Sequence, residues 1–172
     1  MITGVPGCGK STLVNQLVEM ALQRGIKVGG ISTPEFRLPS GKRGGFLIQN
    51  VATGKKRIMA SIGFSSPIYV GRYGVNLEAI QDVGVTAISS AVAEADLVII
   101  DEIGKMELFS EDFCNETLNA LDTKKVLGTI GYNLSHPLTK RIKNREDVEI
   151  LVLTIENRDK ITGYLEEILI NK

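Results

Sequence analysis

Two short runs of this chain hold residue types and spacings that suit phosphate chemistry. The first is Gly4-Val5-Pro6-Gly7-Cys8-Gly9-Lys10-Ser11, followed by Thr12. It has the Gly-x-x-x-x-Gly-Lys-Ser form of a Walker A loop. Glycines let the backbone wrap so that successive N–H groups face one anion, and the helix that follows adds the partial positive charge of its N-terminus. In such a loop Lys10 reaches the β- and γ-phosphates, the Ser11 hydroxyl ligates Mg²⁺, and Thr12 neighbours the α-phosphate. The second run, Leu97-Val98-Ile99-Ile100-Asp101-Glu102, reads as a Walker B strand. Its apolar residues bury the strand, and Asp101 emerges at the carboxyl end to hold the metal directly or through water. Glu102 beside it is placed to orient or deprotonate an attacking water. A glycine turn and a pair of solvated acids would explain each run alone. Together they point to a nucleoside triphosphate, Mg²⁺ and hydrolysis.

Further residues are candidates for supporting roles. A cation on the developing γ-phosphate charge aids hydrolysis, and Lys105, Arg145 and Arg158 are available, with Lys105 directly after the acidic strand. For each taken singly, a solvated or salt-bridged surface residue is the more common case. Thr129, at the end of the next strand, either senses the γ-phosphate through water or is an ordinary β-branched strand residue. Cys8 sits where a helix N-terminus lowers a thiol pKa, so its alkylation is expected to block nucleotide binding. Phe46 and Tyr73 either stack on a base or plug the hydrophobic interior. His136 has no second histidine or cysteine cluster with it, so no metal or catalytic role is expected of it. Cys114 reads as a core residue.

These residues need a scaffold. Met1–Thr3 is a very short apolar start, and Thr12–Arg24 has apolar residues at helical spacing with Gly25 as a stop. Lys27–Ser32 reads as a strand, Thr33–Gly45 as a loop or hairpin, Phe46–Val51 and Lys56–Ser61 as a strand pair, and Ile68–Val75 as a further strand. Leu77–Glu94 is helical in composition with Gly84 weakening its middle. After the acidic strand come a helix over Glu111–Leu121, a strand over Val126–Ile130 and a short helix over His136–Asn144. A strand over Val148–Thr154 and a helix over Glu156–Ile170 close the chain. Buried strands alternating with helices predict a mostly parallel sheet covered on both faces. Residues 33–75, strands without helices, predict a small antiparallel insertion. No repeat or linker divides residues 1–172, so one domain is expected.

Composition narrows the class. With 172 residues, 43% hydrophobic and 23% charged, the chain reads as an ordinary globular domain. A formal net charge of zero gives no argument for a nucleic-acid or membrane partner. No apolar run reaches the length of a membrane span, and no signal peptide is expected, since the first residues lead straight into the phosphate loop. Cys8 and Cys114 make no disulfide framework, so a reduced, cytoplasmic protein is expected. A monomer is the expected state.

The run Asp101-Glu102-Ile103-Gly104-Lys105-Met106-Glu107-Leu108-Phe109-Ser110 resembles the signature of the thermostable nucleoside-triphosphatase family. Other stretches fit that family in order: the phosphate loop, Gly29-Gly30 through Thr33-Pro34-Glu35-Phe36-Arg37, and Arg43-Gly44-Gly45-Phe46. So do Val70-Gly71-Arg72-Tyr73-Gly74-Val75-Asn76, Ile142-Lys143-Asn144-Arg145 and Glu156-Asn157-Arg158-Asp159. The resemblance implies a RecA-like α/β P-loop domain that hydrolyses ATP, GTP, CTP, UTP and TTP, and diphosphates more slowly. It implies nucleotide contacts at Gly4, Val5, Pro6, Gly7, Cys8, Gly9, Lys10 and Ser11, and around Leu97, Val98, Ile99, Ile100, Asp101, Glu102, Ile103 and Gly104. Where the family usually has an aromatic and two acids, this chain has Ser32-Thr33-Pro34-Glu35, and its first strand is shorter. The competing reading is a nucleotide or small-molecule kinase, with Lys140, Arg141, Lys143 and Arg145 as the basic lid such enzymes use. A third is a nucleic-acid-stimulated ATPase, which would need a basic stripe beyond that cluster.

Overall fold

The computed structural model of the chain describes residues 1–123 and 125–170. A two-residue strand β1 (Ile2–Thr3) runs into the phosphate loop and α1 (Lys10–Gln23). Next come β2 (Val28–Ser32), β3 (Glu35–Arg37), β4 (Arg43–Asn50), β5 (Lys56–Ser61), β6 (Tyr69–Val70) and β7 (Tyr73–Val75). A single helical rod follows, made of α2 (Leu77–Ala79), a π-helical turn over Ile80–Val85, and α3 (Thr86–Glu94). The chain then forms β8 (Leu97–Ile103), a 3₁₀ turn over Glu107–Phe109, and α4 (Glu111–Asp122). It ends with β9 (Val126–Ile130), α5 (Pro137–Lys143), β10 (Leu151–Val152) and α6 (Arg158–Ile170).

Among the described residues the ten strands form one sheet, ordered β10-β1-β9-β8-β2-β4-β5-β7-β6, with β3 paired to β4. Every pairing from β10 to β2 is parallel, and every pairing beyond β2 is antiparallel. The antiparallel insertion is therefore a wing of the same sheet. Its junction is β2, which pairs parallel with β8 on one side and antiparallel with β4 on the other.

Successive strand residues face opposite sides of a sheet, and β8 shows the consequence. Val98 and Ile100 join one core with Ile31, Ile48, Ile80, Ile88 and Phe113. Leu97 and Ile99 join the other, with Leu13, Leu17, Ile161 and Leu165. One core lies under α2, α3, α4 and α5, the other under α1 and α6. Helices thus cover both faces, as the α/β alternation predicts.

Several boundaries differ from the sequence reading. Ile68–Val75 is two strands, because Gly71 turns the chain with φ +59 and lets Val70 pair with Tyr73. Val148–Thr154 contributes only Leu151–Val152 to the ladder, since β10 pairs with β1 and β1 is two residues long. Gly84 does weaken its helix, which takes the π turn there. The residue has a packing reason: a Cβ at Gly84 would stand 2.6 Å from Ile48 Cδ1, so the helix rests directly on β4. Among the described residues no helix is long and apolar enough to cross a membrane.

Candidate functional site

The phosphate loop lies between the carboxyl end of β1 and the first turn of α1, at the edge where all the parallel strands end. Gly9 caps α1 with φ +99, a conformation costly for any residue with a Cβ. Lys10 is 9% exposed, and its Nζ donates to the Gly4 carbonyl at 2.9 Å, spanning the loop. Arg158, first residue of α6, donates from Nη2 to the Cys8 carbonyl at 2.7 Å. Its guanidinium also lies so close to Gly9 that an added Cβ would be 3.0–3.2 Å from Nη2, Cζ and Nε. Arg158 therefore backs the loop that Lys10 closes. The connection before it is held by Asn157, whose Oδ1 accepts from Thr154 N–H at 2.8 Å and whose Nδ2 donates to the Val152 carbonyl at 2.9 Å.

Asp101 faces this loop from the end of β8. It is 3% exposed, and one carboxylate oxygen accepts from Thr129 Oγ1 at 2.6 Å and from Ser11 Oγ at 3.2 Å. Burial raises the Asp101 pKa above the ordinary carboxylate range, against the two hydroxyl donors and the Lys10 charge. A buried carboxylate beside a hydroxyl and an ammonium is a hard-oxygen setting suited to a divalent cation. Ser11 and Asp101, which the two sequence patterns place far apart in the chain, are brought into direct contact. They fit Mg²⁺.

Glu102 follows through a cis peptide. Its N–H donates to Thr33 Oγ1 at 3.1 Å, and that hydroxyl donates to the Asp101 carbonyl at 3.1 Å. One threonine thus ties the end of β2 to both acidic residues. Burial also raises the Glu102 pKa, with Lys10 opposing and Asp101 adding to it. Behind the turn, Glu107 is 3% exposed and its Oε2 accepts from the Gly104 N–H at 3.1 Å. Burial pushes Glu107 up to about 8. Gly104 has space for no side chain, because a Cβ would stand 2.8 Å from Glu107 Oε2 and 3.2 Å from Glu102 Oε1. A cleft of about 580 Å³ opens in front, lined by Pro6, Ser11, Glu102 and Lys105 on one side and by Phe46, Met59 and Val70 of the wing on the other.

A family model described as NTPase matches residues 1–168. The chain belongs to this NTPase family. Among its relatives, the nucleoside-triphosphatase THEP1 of Thermofilum pendens is 44% identical over 167 residues, covering 96% of this chain and 91% of that protein. The THEP1 of Methanosarcina barkeri is also 44% identical, covering 95% of this chain and 92% of its own length. The crystal structure of THEP1 from the hyperthermophile Aquifex aeolicus superposes with a TM-score of 0.85 at 38% identity, covering 98% of this chain and 96% of the other. The solution structure of a human cancer-related nucleoside triphosphatase gives 0.81 at 31% identity, covering 98% and 95%. The RecA-like P-loop architecture is thereby shared.

On this NTPase fold the other sequence candidates divide. Lys105 is exposed and lines the cleft with Glu102. Arg158 reaches the phosphate loop, although at its backbone near Cys8 and Gly9. Arg145 is committed elsewhere, to Asp122 and Asp147 at 2.8 Å each, and does not serve the phosphate loop. Thr129 is fully buried, and its hydroxyl donates to the Asp101 carboxylate at 2.6 Å. The side chains of Leu97, Val98, Ile99, Ile100 and Ile103 lie in the two cores, so they carry Asp101 and Glu102 into place. Cys8, expected to be open to alkylation, is 2% exposed and its side chain packs in the α1–α6 core, which leaves the thiol little access to a reagent. His136 caps α5, its Nδ1 accepting from Leu138 N–H at 3.2 Å. Thr33 and Glu107 are the supports that residue types alone did not reveal. The signal for Thr33 was its place directly after a strand that parallel pairing sets beside the acidic one.

Proposed function

We propose that the chain hydrolyses nucleoside triphosphates, ATP, GTP, CTP, UTP and TTP alike, to the diphosphate and phosphate with Mg²⁺, and diphosphates more slowly. One observation carries this reading: Ser11 and Glu102 line one cleft at the mouth of the phosphate loop, and Ser11 Oγ donates to the buried Asp101 carboxylate, so the two motifs meet there. Amides of residues 4–11 wrap the β- and γ-phosphates, and Thr12 neighbours the α-phosphate. Lys10 exchanges the Gly4 carbonyl for the bridging phosphate oxygens. Ser11 Oγ and the Asp101 carboxylate hold Mg²⁺, with Thr129 fixing the carboxylate. When bound, the metal neutralises charge gathering on the phosphate oxygens. Glu102 takes a proton from the attacking water as the water oxygen bonds to the γ-phosphorus and the bond to the bridging oxygen breaks. Its raised basicity suits that task. Lys105 offsets charge on the departing phosphoryl group, and Arg158 keeps the loop in its wrapped form.

Base tolerance follows if recognition rests on the phosphates, which all five nucleotides share. A kinase of the lid-bearing type fits less well, because the expected lid segment is occupied by α5 and its Arg145 is tied to two aspartates. The test is phosphate release from the five nucleotides by the purified chain with no partner or acceptor. Release should require Mg²⁺ and vanish with a chelator. Consumption of ATP only when an acceptor is added would reject hydrolysis as the function.

A further inference from the structure

The proposed hydrolysis fixes which way a triphosphate runs across the sheet. The acids assigned to the γ-phosphate end β8, and the phosphate loop follows β1. In the sheet order β10-β1-β9-β8, the γ end therefore points towards β9 and β8. The nucleoside, joined to the other end, leaves the loop on the side of β10. Ligands of such sheets lie outside the carboxyl ends of the strands. There β10 runs into a connection, residues 153–157, that leads to α6. Helix α6 shares its core with α1, whose first turn carries Thr12.

This connection is pressed against the loop. A Cβ at Gly4 would collide with the Leu153 carbonyl oxygen, and the Arg158 guanidinium lies on Gly9. The polar side chains of the segment are engaged in holding it. Besides the two bonds already described, the Asn157 N–H donates to Thr154 Oγ1 at 3.3 Å. The Thr154 hydroxyl also holds the Glu156 carboxyl below its ordinary range. Arg158 is bound to the Cys8 carbonyl. What remains is Ile155. At 74% it is the most exposed large apolar side chain among the described residues. Apolar side chains exposed singly are common, but this one stands on a fixed turn, at the strand end where the nucleoside emerges, with the polar side chains of its own segment engaged.

We propose that Ile155 is the platform on which the nucleoside base rests. The inference rests on the hydrolase reading for the direction of the triphosphate. An aliphatic side chain meets the face of any purine or pyrimidine by apolar contact. It matches no donor or acceptor on a base edge, so it favours nucleotides over bare phosphates without choosing among them. Base tolerance then has a positive cause in the structure.

Equilibrium binding tests this independently of turnover. The probes, each with Mg²⁺, are nonhydrolysable analogues of ATP, GTP, CTP and UTP, read by equilibrium dialysis. Inorganic triphosphate, which has no base, is read by displacement of the ATP analogue. Ile155→Ser should weaken all four analogues alike, by about fivefold, the effect of half-burying one such side chain, and leave inorganic triphosphate unchanged. Ile155→Trp should tighten them, the purine analogues more than the pyrimidine ones, since a larger base covers more of the indole. The side chain is exposed enough that neither substitution disturbs a core. Affinities unchanged in Ile155→Ser, a loss confined to one base, or no gain in Ile155→Trp would overturn the platform. So would inorganic triphosphate weakened in step with the nucleotides, or no analogue binding at all. The hydrolase reading is scored separately, by phosphate release from the wild-type chain, which can be absent while these affinities change or proceed while they stay fixed.

Discussion

Asp101 is almost out of contact with water, yet it is held by two hydroxyl donors at the mouth of the phosphate loop. A carboxylate in that setting is costly without a cation, which is why it reads as a metal ligand and not as a helper of folding. Asp101→Asn keeps the shape and the two hydroxyl contacts but removes the charge. Phosphate release should fall at least a hundredfold and the Mg²⁺ concentration for half activity should rise. A variant with unaltered metal dependence would remove Asp101 from the site. Glu102→Gln should abolish release while leaving nucleotide affinity within about threefold, read by equilibrium dialysis of a nonhydrolysable analogue; wild-type turnover in this variant would show that another group takes the proton. Glu107 makes a different prediction, one about stability. Its carboxyl titrates near 4.5 when unfolded and at about 8 in the fold. The contribution of its neutral form is whole below the lower value and is lost as pH rises to the upper one, because the unfolded chain releases a proton that the folded chain must keep. Stability from this group therefore declines across that window by about 1.4 kcal/mol per pH unit. Glu107→Gln should lose that slope, so urea midpoints of variant and wild type should separate progressively from pH 5 to 8. A gap independent of pH would mean that Glu107 is ionised throughout.

Among the elements, the junction between β2 and β8 decides how well the acids are aimed. Parallel register sets Ser32 opposite Asp101, which brings the next residue, Thr33, to the peptide between the two acids. Thr33→Val leaves a part-buried N–H and carbonyl without this partner, at a cost of up to about 1–3 kcal/mol. We expect kcat to fall about tenfold with KM little changed, and Thr33→Ser to restore it. A change in KM alone would mean that the threonine serves nucleotide binding instead. The motifs themselves were legible because phosphate binding demands fixed residue types at fixed spacings within one loop or one strand end. Thr33 was not, since its role comes from register between strands separated by the whole wing. The burial of Cys8 was illegible for a related reason: the loop pattern fixes residue types and spacing, but not that the turn directs this side chain into the α1–α6 core. Strand ends were blurred where a partner set the length, as β1 does for β10.

At the scale of the whole molecule, the α/β alternation was readable as two apolar faces on each buried strand, and the wing as strands lacking helices. That the wing continues the same sheet was not readable, because nothing in the order of elements says which edge a strand will join. The consequence is that the loop, the acidic strand end and the wing all border one cleft. Ligand at the cleft should therefore stabilise the entire sheet and not one lobe. A ligand that binds only the folded chain at one hundred times its Kd adds about 2.7 kcal/mol. For a domain of this length that corresponds to a rise of roughly 5–10 °C in Tm. Mg²⁺ with a nonhydrolysable ATP analogue should produce this shift in one cooperative transition, and a chelator should remove most of it if, as proposed, Ser11 and Asp101 reach the triphosphate through the metal. Asp101→Asn should show the chelated value with or without Mg²⁺. Two separate transitions, of which only one responds to nucleotide, would mean that the wing and the parallel sheet unfold independently and that the cleft between them does not act as one site.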